Sequence, residues 1–260
     1  MSNFTTWRSL VDGEEISAIP DALEYWAIQP IDGLSTNDDV SAWPWERPEE
    51  EPDISFPDEP SYDEELVGGT PGIDFDGSSN YGDLGGLSSF FSAISDPVEP
   101  HAVIYSGHFP TGAGSEMLLG LNPNDPNTHF YLDHGRAIAS SGGIGYELRD
   151  EDRNQMTVTS NDTYDDGEAH FIIVNVTGNT GQDIDIYVDD MDNPIGVSVD
   201  NDDTVTDKLN PDDDPVFLNA LNNDGSPEGY SDVGVATVGF ATDSLSGDER
   251  KSLKDEELWT

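Results

Sequence analysis

The sequence predicts an all-β protein, an antiparallel sandwich of two sheets. Three observations predict it. Short alternations of apolar and polar residues recur along most of the chain. Clusters of Gly, Asn, Asp and Pro separate them, as turns require. No apolar stripe of 3.6-residue period lasts beyond a few turns. A length of 260 residues suits one large β domain or two small ones, with a sizeable core in either case.

Residues 1–20 mix Trp7, Leu10, Val11, Ile16 and Ile19 with acids and end at Pro20. That pattern fits a short helix and an extended N-terminal arm equally well. The sandwich is expected over 21–260, with "EYWAI" (24–28) as its first strand. Inside it, 36–66 forms a Pro/Glu-rich excursion, whose prolines forbid a central strand or a long helix and whose like charges extend it. Trp43 and Trp45, together with Trp7 in the arm, are read as anchors for a partner surface. The alternative for Trp43 and Trp45 is that they cap the domain's own core.

Strand-like runs then follow at sandwich spacing: "GIDFDG", "HAVIYSGHF", "EMLLGLN", "HFYLDH", "IGYELRD", "QMTVTS", "AHFIIVNVT", "DIDIYVDD", "IGVSVD", "PVFLNAL" and "VGVATVGFA". In "AHFIIVNV" (169–176), His170, Ile172, Val174 and Val176 share one face, and Phe171, Ile173 and Asn175 the other, so both faces are expected to be largely buried. In "DIDIYVDD" (183–190), Ile184, Ile186 and Val188 point inward, while Asp183, Asp185, Tyr187 and Asp189 point to water.

Charge describes the solvent. With 55 Asp plus Glu against 9 Lys plus Arg, the formal net charge is −46. Mutual repulsion on that scale opposes compaction in dilute buffer. Near 1 M salt, where the screening length is roughly 3 Å, it almost vanishes. The composition resembles that of proteins from extremely halophilic archaea and their viruses; the alternative is an ordinary acidic secreted protein. Such a surface weighs strongly against nucleic-acid binding, which needs cations to displace counterions. There is no cysteine, hence no disulfide or thiolate chemistry. No window approaches 18 apolar residues, so no membrane span is expected. The start, "MSNFTTWRSLVDGEE", carries no signal-peptide pattern, so release by lysis or as part of a particle is expected.

Three motifs in order resemble the laminin G-like and concanavalin A-like lectin/glucanase superfamily. "GIDFDGSSNYGDL" (72–84) is similar to its early strand and turn, with Asn80 for the usual Asp. "DGEAHFIIVNVTGNTGQDIDIYVDD" (166–190) resembles its paired central strands, with Ala169 at the Trp position, His170 at the His, and Asp190 where Gly is usual. "GYSDVGVATVGFATDSLSGDERKSL" (229–253) looks like its closing strand and mini-helix, in which Ser246 and Glu249 have capping-box spacing. The resemblance implies a jelly roll with a concave face and a loop-bearing rim, an architecture that serves lectins, laminin modules, pentraxins and some glycosidases.

Glycosidases of that fold carry E-x-D-x-x-E or E-x-D-x-E on one strand, which sets two carboxylates about 5 Å apart. "YELRDEDR" (146–153) does not match, and no G-x-S-x-G, Walker loop or H-E-x-x-H occurs. No catalysis is expected. His129 and His134 are an odd number apart and should face opposite ways. Aromatic platforms with amide and carboxylate neighbours suggest Tyr146, Tyr164, Tyr187 and Tyr230 for glycan contact, Tyr187 foremost. No cofactor is required. Calcium or another cation at rim loops would use Asp200, Asp202, Asp212 and Asp214. The resulting expectation is a non-enzymatic virion surface protein (spike, turret or fibre) of a halophilic archaeal virus. It is expected to be a homo-oligomer that docks on other virion proteins and attaches to a host glycan or glycoprotein. A cellular haloarchaeal adhesion protein is the alternative, and a carbohydrate-active enzyme a third.

Overall fold

A computed structural model describes residues 4–8, 15–20, 23–28, 31, 33–45, 52–67, 69–95, 97–112, 116–122, 128–135, 139, 142–210, 212–223 and 226–255. The sandwich expected from the alternation is present: two sheets enclose one large apolar core. The smaller sheet runs Ile184–Val188, Ala169–Val176, His101–His108 and Gly234–Ala241. The last strand then pairs with both Leu23–Ile28 and Thr70–Asp74, and Thr70–Asp74 pairs with Ser61–Val67. The larger sheet runs Val197–Asp202, Gln155–Ser160, Ile144–Arg149, His129–His134, Glu116–Asn122, Phe217–Leu218, Gly82–Asp83, Ile54–Ser55 and Ala42–Trp43. These pairs are antiparallel. Leu221–Asn223 departs from the expectation by running parallel to Glu116–Asn122.

The predicted parity of 169–176 holds. Ile172, Val174 and Val176 enter the main core, whereas Phe171 and Ile173 join Trp26, Ile104, Tyr187, Met191, Leu245 and Leu253 in a second cluster on the other side of the sheet. What covers that side is the C-terminal segment and its helix, Gly247–Asp255. The helix starts where Ser246 and Glu249 predicted: Ser246 N and Oγ donate to Glu249 Oε2 at 2.8 and 2.7 Å, and Glu249 N donates back to Ser246 Oγ at 3.4 Å. Arg250 donates to the carbonyls of Leu245 and Met191 and lies 3.9 Å over the Tyr187 ring. The outward placement of Tyr187 is thereby corrected. Alternation does put it on the face away from the main core, but a helix distant in sequence buries that face.

The excursion is also corrected. It is woven into both sheets, through Ser61–Val67 in one and through Ala42–Trp43 and Ile54–Ser55 in the other. Its strands are two residues long where proline is dense, which is how the chain satisfies its backbone without a long central strand. Trp43 is 0% and Trp45 5% exposed, and the Trp45 ring packs edge-on to Tyr25 at 5.3 Å. They cap the domain's own core and are not partner anchors, because ring area of that size is worth more buried against Tyr25 and its neighbours than held in water. For 1–20, the extended alternative is realised as a hairpin of Phe4–Arg8 with Glu15–Pro20; the Trp7 side chain lies outside the described residues. A short helix, Ser88–Ile94, was not anticipated. Its Phe90, Phe91 and Ile94 fill the core, with Phe90 5.2 Å from Phe240 and Phe91 5.5 Å from Phe130. Among the described residues no helix is long and apolar enough to cross a membrane.

Candidate functional site

Three neighbouring strands of the larger sheet send alternate residues to opposite faces. Phe130, Leu132, Ile144, Tyr146, Leu148, Met156 and Val158 enter the core. The intervening positions form the outer face, and register aligns them into rows. Tyr131 pairs with Glu147, Glu147 with Thr157, and Thr157 with Asn201. In the next row His129 pairs with Arg149, and Arg149 with Gln155. On the neighbouring strand Val197–Asp202 the same face is acidic and wet. On the three strands here it is a connected polar floor.

Glu147 is its centre. Only 3% exposed, it accepts from His129 Nδ1 at 3.1 Å on one oxygen, and from Gln155 Nε2 at 2.7 Å and Thr157 Oγ1 at 3.4 Å on the other. Gln155 Nε2 also donates to Thr157 Oγ1 at 3.0 Å, and Asn201 Nδ2 does so at 3.2 Å. Apart from the Gln155–Thr157 bond within one strand, these bonds cross between strands, so the register itself sets the geometry. Burial raises the Tyr131 phenol above the usual tyrosine range; the Glu147 carboxylate adds to the rise and Arg149 opposes it, so Tyr131 keeps its proton as a donor. The rings of His129 and Tyr131 lie 5.1 Å apart. His129, Arg149 and Gln155 stay half-exposed around this floor. Fixed donors and acceptors beside the partly exposed His129 ring suit recognition of a hydroxyl-rich ligand.

The rim carries a second polar cluster. His170 Nδ1 meets Asp189 Oδ2 at 2.7 Å and its Nε2 meets Asp166 Oδ1 at 3.1 Å, while Tyr164 lies edge-on at 5.3 Å. Burial opposes the charged ring, but the Asp189 and Asp166 carboxylates outweigh it and raise the His170 pKa. Asp189 has φ of 59° and also accepts from Phe171 N at 2.9 Å, so it pins the hairpin end. In the 72–84 motif, Asp76 accepts from the N–H groups of Ser78, Ser79 and Asn80. Burial pushes its carboxyl up, but the Ser79, Ser78 and Asn80 donors prevail and hold it well below the usual range. Both motif sites are turn-fixing devices.

The four tyrosines expected to touch glycan do not converge. Tyr146 is 0% exposed in the core, its hydroxyl 2.9 Å from His101 Nε2, and Tyr187 lies under Arg250; both are out of a glycan's reach, which corrects the expectation. Tyr164 is half-buried on the rim, and Tyr230 is half-buried 6.3 Å from Tyr81. Asp200 accepts from Thr159 Oγ1 at 2.8 Å and Asp202 from Gln182 N at 3.1 Å, on an exposed strand. Asp212 and Asp214 lie in a separate loop, and among the described residues no three His, Cys, Asp or Glu side chains gather to hold a metal. His129 faces outward and His134 is buried against Phe109 at 4.7 Å, as their odd spacing predicts. Sequence alone does not single out the Glu147 floor. Its signal was present as the polar alternates His129, Tyr131, Glu147, Arg149, Gln155 and Thr157, but each run alone looks like an ordinary wet face.

No protein-family model matches this chain, and none of the curated proteins matches it. Solved structures do share the fold. The CBM40 of Ruminococcus gnavus IT-sialidase superposes with a TM-score of 0.52 at 17% identity, covering 70% of this chain and 95% of that one. The receptor-binding domain of a botulinum neurotoxin C/D mosaic serotype gives 0.57 at 11% identity, covering 91% of this chain and 52% of that one. A mutant Trypanosoma rangeli sialidase with trans-sialidase activity gives 0.55 at 15% identity, covering 94% of this chain and 35% of that one. At such identities the likeness establishes the β-sandwich fold.

Proposed function

We propose that the chain is a non-enzymatic glycan-binding sandwich that takes its ligand on the Glu147 floor. The observation that carries this is the convergence of His129, Gln155 and Thr157 on the Glu147 carboxylate, with Arg149 and Tyr131 beside it on the same outer face. The fold likeness to a sialidase CBM40, one structure of which is bound to α2,3-sialyllactose, supports a carbohydrate reading. A defined glycan array that includes this sugar, probed in molar KCl, tests it. Binding that is lost in both Glu147→Gln and Arg149→Ala supports the site. Absence of binding by the parent chain overturns the reading.

The setting we propose is the surface of a virion of a halophilic archaeal virus, as a homo-oligomer contacting other virion proteins and a host glycan or glycoprotein. Support comes from the −46 net charge, which suits brine. A haloarchaeal adhesion protein is the second reading. Recovery of the chain in purified particles favours the first; anchoring on uninfected cells overturns it.

A further inference from the structure

We propose a second saccharide subsite on the same outer face, built from Tyr81 and Tyr230 and backed by the buried Phe217 ring, so that the ligand is an oligosaccharide held at two places. This deepens the glycan reading above and rests on it. Of nine tyrosines, six are buried and three, Tyr81, Tyr164 and Tyr230, are half-buried. Two of those three are neighbours: the Tyr81 ring lies 4.7 Å from Phe217 and 6.3 Å from Tyr230. Phe217 lies on the outer-face side of its strand, since Leu218 beside it enters the core, and it is itself buried beneath the Tyr81 ring. A chain that fills its wet surface with carboxylates has here left aromatic rings half in water.

Hydrogen-bonding groups surround them. The Tyr81 phenol is raised by burial and then by the nearby charges of Asp83, Tyr230 and Asp58. Ring faces with adjacent carboxylate acceptors match the two sides of a pyranose, its C–H face and its hydroxyls.

Register places this cluster in line with the Glu147 floor. Glu147 pairs with Tyr131, Tyr131 with Gly120, Gly120 with Phe217, and Phe217 with Asp83. Three strand steps of about 4.8 Å separate Glu147 from Phe217, about 14 Å in all. A single sugar does not span that. Between the two platforms the chain crosses over Gly120: a Cβ there would lie 2.7 Å from the Ala220 carbonyl oxygen and 2.9 Å from Leu221 Cα.

The test is a size ladder of chito-, manno- and gluco-oligosaccharides of one to six units, titrated in molar KCl against the parent chain, Tyr81→Ala, Tyr230→Ala and Arg149→Ala. Tyr81→Phe, which keeps the ring and removes the hydroxyl, controls for packing, with near-ultraviolet circular dichroism reporting the fold. The expected result is affinity that rises with length in the parent. Each tyrosine-to-alanine change should cost tenfold or more for the long sugars and little for the monosaccharide, whereas Arg149→Ala weakens both. A flat ladder, or tyrosine variants that hold hexasaccharide as the parent does, overturns the second subsite and leaves the Glu147 site standing. If no sugar binds the parent, both fall.

Discussion

Asp189 closes the hairpin of Ala169–Val176 and Ile184–Val188 by holding His170 Nδ1 at 2.7 Å on one carboxylate oxygen and Phe171 N at 2.9 Å on the other. With Asp166 on the far ring nitrogen, the two carboxylates outweigh burial and shift the ring toward its imidazolium form. A histidine pKa raised by folding contributes stability that is complete below the unfolded value near 6.5 and is lost as pH rises through the folded value. The melting temperature in molar KCl should therefore fall as pH is raised from 6.5 toward 9. His170→Gln should flatten that fall. An unchanged slope in the variant would locate the effect elsewhere.

The acid limb has a different origin. Burial lowers the pKa of His101 to about 4, with the Glu99 carbonyl opposing, and burial likewise lowers His134 to about 4, with Asp165 opposing. Both rings are neutral in the fold and take up protons more readily once unfolded. Stability should thus decline as pH drops from about 6.5 to about 4, then level off as far as these two groups are concerned. Together with His170, this puts the optimum near pH 6.5. Urea melts at fixed KCl across pH 4 to 9 read both limbs, and His101→Gln should reduce the acid one.

Trp43 links the proline-rich segment to the core. Trp43→Ala should destabilise by about 3–5 kcal/mol, the usual range for removing a fully buried large aromatic. A change under about 1 kcal/mol in urea unfolding would mean that the segment folds apart from the sandwich.

Arg250 works through both geometry and charge. Its guanidinium covers Tyr187 while Nε and Nη1 donate to Met191 and Leu245. Lysine cannot reproduce that planar fork. Arg250→Lys should lower stability by about 1–3 kcal/mol, as expected when buried hydrogen bonds are left unmade. It should also increase hydrogen exchange in Gly247–Asp255.

Salt should act on the whole molecule. At a net charge of −46, transferring the chain from molar KCl to tens of millimolar lengthens the screening range from roughly 3 Å to well over 10 Å. The melting temperature should rise steeply with KCl and plateau near molar concentration. Independence from salt over that range would contradict the repulsion argument.

The sequence by itself determined the period-two strands, the turns between them, the burial of both faces of 169–176, the Ser246–Glu249 cap and the opposed directions of His129 and His134. Each depends on neighbours a few residues apart, where backbone alternation and local hydrogen bonding decide. Tertiary structure alone decided that Tyr187 would lie beneath Arg250, that Trp43 would enter the core, and that Glu147 would gather His129, Gln155 and Thr157 from the strands on either side. Those outcomes depend on register and on long crossings, and a residue's own parity does not say what will come to cover the face it occupies.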